Sequence, residues 1–575
     1  MIELNFDFLA QSVRFEQPTK IIQTDDIQQV LTCLKEVEEW VEKGYFAAGF
    51  LSYEAAKAFD ERYCCASSTN MPLLWFGLFD RALSQPEEVN LPKDYIQSLK
   101  FHWQAKTTKA QYEQAIERIH HEIEQGNTYQ VNYTVRLKTN YQELDEQFLY
   151  QHLKKIQQAR YAAYLNIGRY RIISASPELF FHLKDNVLTT KPMKGTAARG
   201  KTYTEDIKNK NELYNSTKNR AENIMIVDLL RNDVSHIAQV GTVKVPYLFD
   251  VEPYPNVWQM TSTVTATLKA HTGIVDVFKA LFPCGSITGA PKVSTMNIIN
   301  QLENEPRDIY CGAIGYITPQ KEACFNVPIR TVMIDSEQKE ATYGVGGGIT
   351  WDSTSAAEYQ ELLDKADIIL KEMIFPEHLL ESILLDSGDY FLKELHLQRL
   401  YESSLYFGFV FSLQEINQQL EQIAKQYPKG HYKVRLLLSQ IGHVQLDVQH
   451  IMENTQQLTA TWADQPVNQH NVFLYHKTTE RSHYPEVTLN EERLLFNEKN
   501  EVTEFVNGNV AILLNEQWLT PPVESGLLAG VMRAHLLAEG KLLERTIKRD
   551  EVKQAKQIVF FNSVRGWREV NMIAS

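Results

Sequence analysis

The sequence predicts an α+β chain in two independently packed parts. Its 575 residues exceed what one ordinary core holds, at roughly 100–200 residues per domain. Short strand-like runs crowd the first 370 positions with helical stretches between them. That pattern means large antiparallel sheets flanked by helices, not a doubly wound parallel sheet. Pro376 in "IFPEH" breaks a long helical stretch and sets the boundary, dividing 1–374 from 375–575.

The elements follow in order. "YFAAGFLSYEAAKAFD" (45–60) reads as a buried strand passing into a helix. "TTKAQYEQAIERIHHEIEQG" (107–126) has helical periodicity and stops at Gly126. "TYQVNYTVRLKTN" (128–140) alternates as a strand does, and "AAYLNIG", "YRIISAS", "LFFHLKD" and "VLTTKPM" repeat the signature. "KPMKGTAARG" (191–200), with its proline and two glycines, reads as a loop with Lys194 in the middle. "KNRAENIMIVDLLRND" and "SAAEYQELLDKADIILKEM" (355–373) are helical. Beyond the boundary, "ESILLDSGDYFLKELHLQRLYESSLYFGF" combines strand and helix, and "TPPVESGLLAGVMR" is a turn leading into a helix.

Composition narrows the function. Hydrophobic residues make up 43% and charged residues 23%, a globular balance. A net charge of −14 argues against nucleic acid, which wants a basic face. No run approaches ~18 apolar residues, so no membrane span is expected. "MIELNFDFLAQSVRF" does not read as a signal peptide. Cys33, Cys64, Cys65, Cys284, Cys311 and Cys324 match no zinc spacing and read as reduced thiols of a cytoplasmic protein.

Four stretches of the first part carry candidate chemistry. Glu178 follows a proline in "SASPELFF", and Lys194 comes sixteen positions later. Glu222 lies beside the apolar stripe of its helix, where a carboxylate needs a partner or a cation; a slightly rotated helix would leave it on the surface instead. "YGVGGGITWDSTSAAEYQELLDKA" runs three glycines into a helix on which Glu358, Glu361 and Lys365 share a face. Ser355-x-x-Glu358 also fits a capping box, a rival role for Glu358. The glycine run has neither dinucleotide nor phosphate-loop spacing, and it also suits a bare turn.

Taken together, "GNTYQVNYT", "SPELF", "PMKGTAARG", "KNRAENIMIVDLLRND", "FPCGSITGAPK", "YCGAIGY", "NVPIRT" and "YGVGGGI…DS…EYQELLDKA" resemble, in the same order, the chorismate-utilising enzymes over about residues 100–370. The resemblance implies that Lys194 attacks the chorismate ring at C2. A lysine in P-x-K-G-T is the mark of the branch that aminates at C4, where anthranilate synthases carry a small residue. It further implies Glu178 as general acid, and Glu222, Glu361 and Glu358 as magnesium ligands. Arg330, Tyr316, Lys365, Thr288 and the Gly347 and Gly348 amides would bind substrate. Arg199 and the magnesium would help keep Lys194 neutral. Gln259 stands in "VWQMTSTV" where many relatives carry a histidine, so no proton is carried there. Met193, where relatives often have isoleucine, is a mild packing change.

The second part offers His396 and Arg399 on a helix, Lys477 at the end of an apolar strand, Glu504 on a strand and Asn509 beyond it. Alone, Lys477 suits an exposed charged turn and Glu504 an edge-strand charge. "HLQRL", "HKTTER", "EVTEFVNGNVAIL" and "SGLLAGVMR" resemble the fold-type-IV pyridoxal-phosphate enzymes, with Ala529 where many have proline. The resemblance implies that Lys477 carries pyridoxal 5'-phosphate and serves as base and acid. Glu504 would pair with the pyridine nitrogen, and Arg399 with the amides near Gly530 would bind the phosphate. The fusion implies lyase chemistry on the first part's product, giving 4-aminobenzoate and pyruvate. No glutaminase triad is seen, so ammonia comes from solution or from a separate amidotransferase subunit. Two alternatives stay open: an anthranilate synthase-like part joined to an aminotransferase, and a second part that serves only to form a homodimer.

Overall fold

A computed structural model describes residues 2–9, 11–67, 71–84, 101–367, 369, 375–452, 456–488 and 490–573. The contacts form two compact units: Met1–Ala198 with Lys210–Met373, and Arg199–Asn209 with Ile374–Ser575. The strip 199–209 thus groups with the second unit, a grouping that the pattern along the chain does not reveal. Residues 371–374, next to the expected boundary, lie outside the described residues, as does most of the expected helix beyond Asp367.

The first unit contains two large sheets. One runs in the order Gly289–Ala290, Gln130–Asn140, Glu340–Ile349, Thr331–Asp335, Tyr170–Ser176, Tyr161–Asn166, Glu3–Phe8, Gln11–Glu16. The other runs Met193–Ala198, Val257–Thr267, Val187–Lys191, Leu179–Lys184, Ala323–Asn326, Ala313–Ile317, Phe46–Leu51, Leu74–Phe79, Lys20–Thr24. Every pairing in both is antiparallel. Phe6, Phe8 and Phe15 from one sheet and Phe50, Trp75, Phe79 and Tyr316 from the other form one apolar layer between them.

Helices cover the outer faces. The helix Lys109–Glu124 starts at a capping box between Thr108 and Gln111 and buries Tyr112, Ala115, Ile116 and Ile119, one stripe at helical spacing. Burying Ile116 and Ile119 contributes roughly 1.5–3 kcal/mol each. The chain leaves this helix at Gly126, with φ +74°. The helices Val30–Glu42, Thr217–Ser235 and Ile274–Leu281 pack on the other sheet.

The second unit joins a four-stranded antiparallel sheet to an eight-stranded mixed one. In the mixed sheet Leu458–Trp462 runs parallel to both its neighbours. The helices Lys393–Phe407 and Leu413–Gln426 pack on the smaller sheet through Leu397, Leu400, Ile416 and Leu420. No cysteine is paired, and no described helix is long and apolar enough to cross a membrane.

Candidate functional site

Lys194 sits on a strand, not in a loop. Met193 pairs with Thr261 and Thr196 with Gln259, so one extra residue is accommodated between them. This β-bulge absorbs the turn-forming residues that suggested a loop. Gly195 takes φ +95°, the left-handed conformation the bulge requires. Gln259 spans it: its Nε2 donates to the Gly195 carbonyl at 2.9 Å, and its Oε1 accepts from the Thr196 hydroxyl at 3.0 Å. Asn223 donates to the Lys194 carbonyl at 3.4 Å. The residue standing in place of a histidine therefore fixes the backbone beside Lys194.

The amine reaches the glycine run, which is a strand and not a bare turn. A Cβ at Gly348 would lie 2.9 Å from Lys194 Nζ. A Cβ at Gly347 would lie 3.2 Å from Glu358 Oε2 and 3.8 Å from both Glu361 Oε1 and Lys365 Nζ. Glycines are needed because five side chains converge over this backbone. Glu358, Glu361 and Lys365 share the helix face the spacing implied. Lys365 pairs with Glu361 at 2.7 Å and donates to the Gly346 carbonyl at 2.8 Å. The capping role falls to Thr354, whose hydroxyl accepts from the Ala357 N–H at 3.4 Å, which leaves the Glu358 carboxylate facing Gly347.

Burial sets the protonation chemistry. It lowers the Lys194 amine from its usual range; the carboxylates of Glu222 and Glu178 push back, while the Lys365 ammonium adds to the lowering. Glu178 is 3% exposed, and burial raises its carboxyl to about 7 against a 2.6 Å hydrogen bond from Ser286. Burial also raises Glu222 and Glu358. Glu361 is pushed up by burial, but Lys365 more than reverses this and holds it below the usual range.

Several expected residues stand differently. Tyr316 is packed among Phe6, Phe8 and Phe15 in the layer between the sheets. Thr288 is buried, and its hydroxyl donates to the carbonyls of its own turn, Cys284 at 3.0 Å and Gly285 at 3.3 Å. It shapes that turn. Arg199 pairs with Asp206 at 2.7 and 2.8 Å, and Lys365 is the cation that adds to the lowering of Lys194. Arg330 was expected to bind substrate. Its guanidinium donates to Gln157 at 2.6 Å, burial lowers its pKa, and no carboxylate is among the groups that shift it. Such a cation suits an anionic ligand. Tyr254, close enough to feel both Arg330 and Glu178, escaped the sequence reading.

The donor set suits a hard divalent cation: Glu222 and Glu358 offer carboxylate oxygens, and burial and acidic neighbours raise both, a cost that a bound cation would offset. Among the described residues no three metal-ligating side chains are gathered in advance, and Lys365 already holds Glu361.

In the second unit Lys477 follows a short 3₁₀ turn, Val472–Leu474, rather than a strand. Its backbone carbonyl accepts from the Leu380 N–H at 2.9 Å, and burial, with Arg399 nearby, lowers its amine to about 8. Glu504 lies on the strand Val502–Phe505, 4% exposed, and burial raises it to about 7. It accepts from Tyr484 at 2.9 Å, the Leu528 N–H at 3.2 Å and Asn509 at 3.3 Å. A Cβ at Gly530 would collide with the Asn509 carboxamide, and Gly530 opens the helix Val531–Ala538. Arg399 is forked onto Glu381 at 2.8 and 2.7 Å and donates to the Ala529 carbonyl at 3.2 Å. Glu381 also meets His396 Nδ1 at 2.7 Å. Glu381 was missed, although an acid inside the apolar run "ESILL" was a usable signal. A half-buried lysine, a buried carboxylate and a glycine-opened helix fit a cofactor with a cationic ring and an anionic phosphate.

Comparison with known proteins agrees with this arrangement. Residues 378–573 match the amino-transferase class IV family model, and residues 7–371 match that of the chorismate binding enzymes. Aminodeoxychorismate synthase component 1 of Klebsiella aerogenes is 36% identical over 349 residues, 57% of this chain and 77% of that protein. The Escherichia coli protein of the same name is 36% identical over 349 residues, 57% of this chain and 76% of its own length. The structure of anthranilate synthase component I from Streptococcus pneumoniae shares the fold, with a TM-score of 0.52 at 23% identity over 64% of this chain and 90% of that one. With 365 of its residues in that match, the chain belongs to the chorismate binding enzyme family.

Proposed function

We propose that the chain makes 4-aminobenzoate in two steps: residues 1–374 aminate chorismate to 4-amino-4-deoxychorismate, and residues 375–575 remove pyruvate from it. The observation that carries this reading is the bulge that aims Lys194 at Gly348, among Glu178, Glu222, Glu358 and Glu361. Neutral Lys194 Nζ forms a bond to C2, both conjugated ring double bonds shift by one position, and the C4–oxygen bond breaks. The hydroxyl leaves as water with a proton from Glu178, held near 7 for that purpose. Ammonia then bonds at C4, both double bonds shift back, and the C2–Nζ bond breaks. Arg330 and Lys365 hold the substrate carboxylates. Glu222, Glu358 and Glu361 would hold a magnesium ion, which would supply positive charge against the substrate's carboxylates.

In the second step pyridoxal 5'-phosphate supplies an electron sink. Lys477 holds it and moves the proton at the carbon bearing the amine, and Glu504 keeps the ring nitrogen protonated. Gly530 and Arg399 would hold the cofactor's phosphate. A separate amidotransferase subunit supplies ammonia, and the protein works in the cytoplasm. The deciding experiment is product analysis with chorismate, ammonia, magnesium and pyridoxal phosphate. It should give 4-aminobenzoate and pyruvate; anthranilate would overturn the reading.

Two further results are expected. The acid form of Glu178 is present below about pH 7 and lost as pH rises through it. Amination should therefore show a descending limb there. Glu178→Gln should remove that limb and lower the rate by roughly 10²–10⁴-fold; a variant that keeps both the limb and the rate assigns the acid elsewhere. Glu222→Gln or Glu361→Gln should raise the magnesium concentration needed for amination by about 10–100-fold and leave pyruvate release from supplied aminodeoxychorismate intact. Equal damage to both steps would mean a folding defect, and the ligand assignment would lose its support.

A further inference from the structure

Gln130 begins the strand Gln130–Asn140 and is 0% exposed. Both polar atoms of its carboxamide, Oε1 and Nε2, are buried without a hydrogen-bond partner. A buried amide offers two donors and two acceptor positions, and native interiors rarely leave all of them idle. The backbone of the same residue is fully engaged: its carbonyl accepts from the Thr128 hydroxyl at 2.9 Å, and it pairs with Ala290. The head group points at the Lys194 site. A Cβ at Gly348 would lie 2.7 Å from Gln130 Nε2 and 2.9 Å from Lys194 Nζ. Thr350, one residue past the Ile349–Val131 pair, likewise leaves its hydroxyl buried and unpartnered. The idle carboxamide beside Lys194 marks a place where a ligand completes the hydrogen bonding.

We infer that Gln130 is a substrate-contacting residue of the Lys194 site, its carboxamide donating one hydrogen bond to a ring hydroxyl and accepting one from it. The inference rests on the amination reading above. A carboxylate only accepts and an ammonium only donates; a hydroxyl does both and so matches a carboxamide on both sides. Arg330 and Lys365 already answer the carboxylates. A site built to bond a hydroxyl rejects an analogue lacking it, because its own polar groups are then left unpaired.

The test compares the full-length chain with Gln130→Met, which keeps the length and removes the polar head. Titration calorimetry with magnesium present gives Kd for chorismate and for the analogue with hydrogen in place of the ring hydroxyl. The wild type should favour chorismate by at least about 10-fold. Gln130→Met should lose that preference by weakening chorismate alone, while still releasing pyruvate from supplied aminodeoxychorismate and melting at an unchanged temperature. A preference that survives in the variant, or an equal loss for both ligands, overturns the inference. So does a wild type that binds the two ligands equally, whatever the variant does. A wild type that binds neither ligand sinks the amination reading itself.

Discussion

Lys194→Ala stops the normal amination of chorismate, with a fall of more than about 10²-fold in the rate of 4-amino product. The argument starts from the bulge. Gln259 and Gly195 hold the strand so that a long amine, and not a backbone group, reaches Gly348. Burial lowers its pKa and so raises the neutral fraction, and only the neutral amine attacks carbon. Alanine removes the nucleophile and leaves Glu178 and the acidic cluster in place, so the ring is still bound and its hydroxyl can still be protonated. Ammonia then has one route left, direct addition, and residual amination should move toward C2 and an anthranilate-like product. Product chromatography with ammonia as donor is the measurement. Unchanged 4-amino product at the wild-type rate would sink the nucleophile assignment.

The sheets were legible because their strands are short β-prone runs. Tyr161–Asn166, Tyr170–Ser176 and Leu179–Lys184 all lie where such runs put them, buried along most of their length. The helix carrying Glu358, Glu361 and Lys365 was legible from its helical spacing. What escaped depends on distant partners. Met193–Ala198 becomes a strand only because Val257–Thr267 pairs with it, and a local reading sees just a proline and two glycines. Tyr316 resembled a ligand-binding residue until the second sheet appeared against its ring. Lys477 follows a 3₁₀ turn where an apolar run suggested a strand, since periodicity cannot separate short elements. The parallel placement of Leu458–Trp462 between two neighbours is likewise invisible along the chain. Gln130 lies inside the stretch "GNTYQVNYT", but only its missing partners in the fold single it out.

Lys477→Ala separates the two steps. Lys477, Glu504 and Arg399 all belong to the second unit, and Lys194, Glu178 and Glu222 to the first. Pyruvate release needs a proton taken from the carbon bearing the amine and then loss of the enolpyruvyl group, which leaves the ring aromatic. The base must stand over that carbon, and burial with Arg399 nearby holds the Lys477 amine at about 8, close enough to neutrality to accept a proton there. Glu504, buried and bonded by Tyr484, the Leu528 amide and Asn509, is aimed by three donors and cannot replace it. In the variant, pyruvate release should fall by roughly 10²–10⁴-fold and the visible absorbance of the lysine-bound cofactor should vanish. Chorismate should still be consumed in the presence of ammonia and magnesium, so aminodeoxychorismate accumulates. Adding an intact lyase to the spent mixture should then release 4-aminobenzoate in one burst. If the variant itself releases pyruvate and 4-aminobenzoate at the normal rate, Lys477 is a structural lysine and the chemistry assigned to the second unit is wrong.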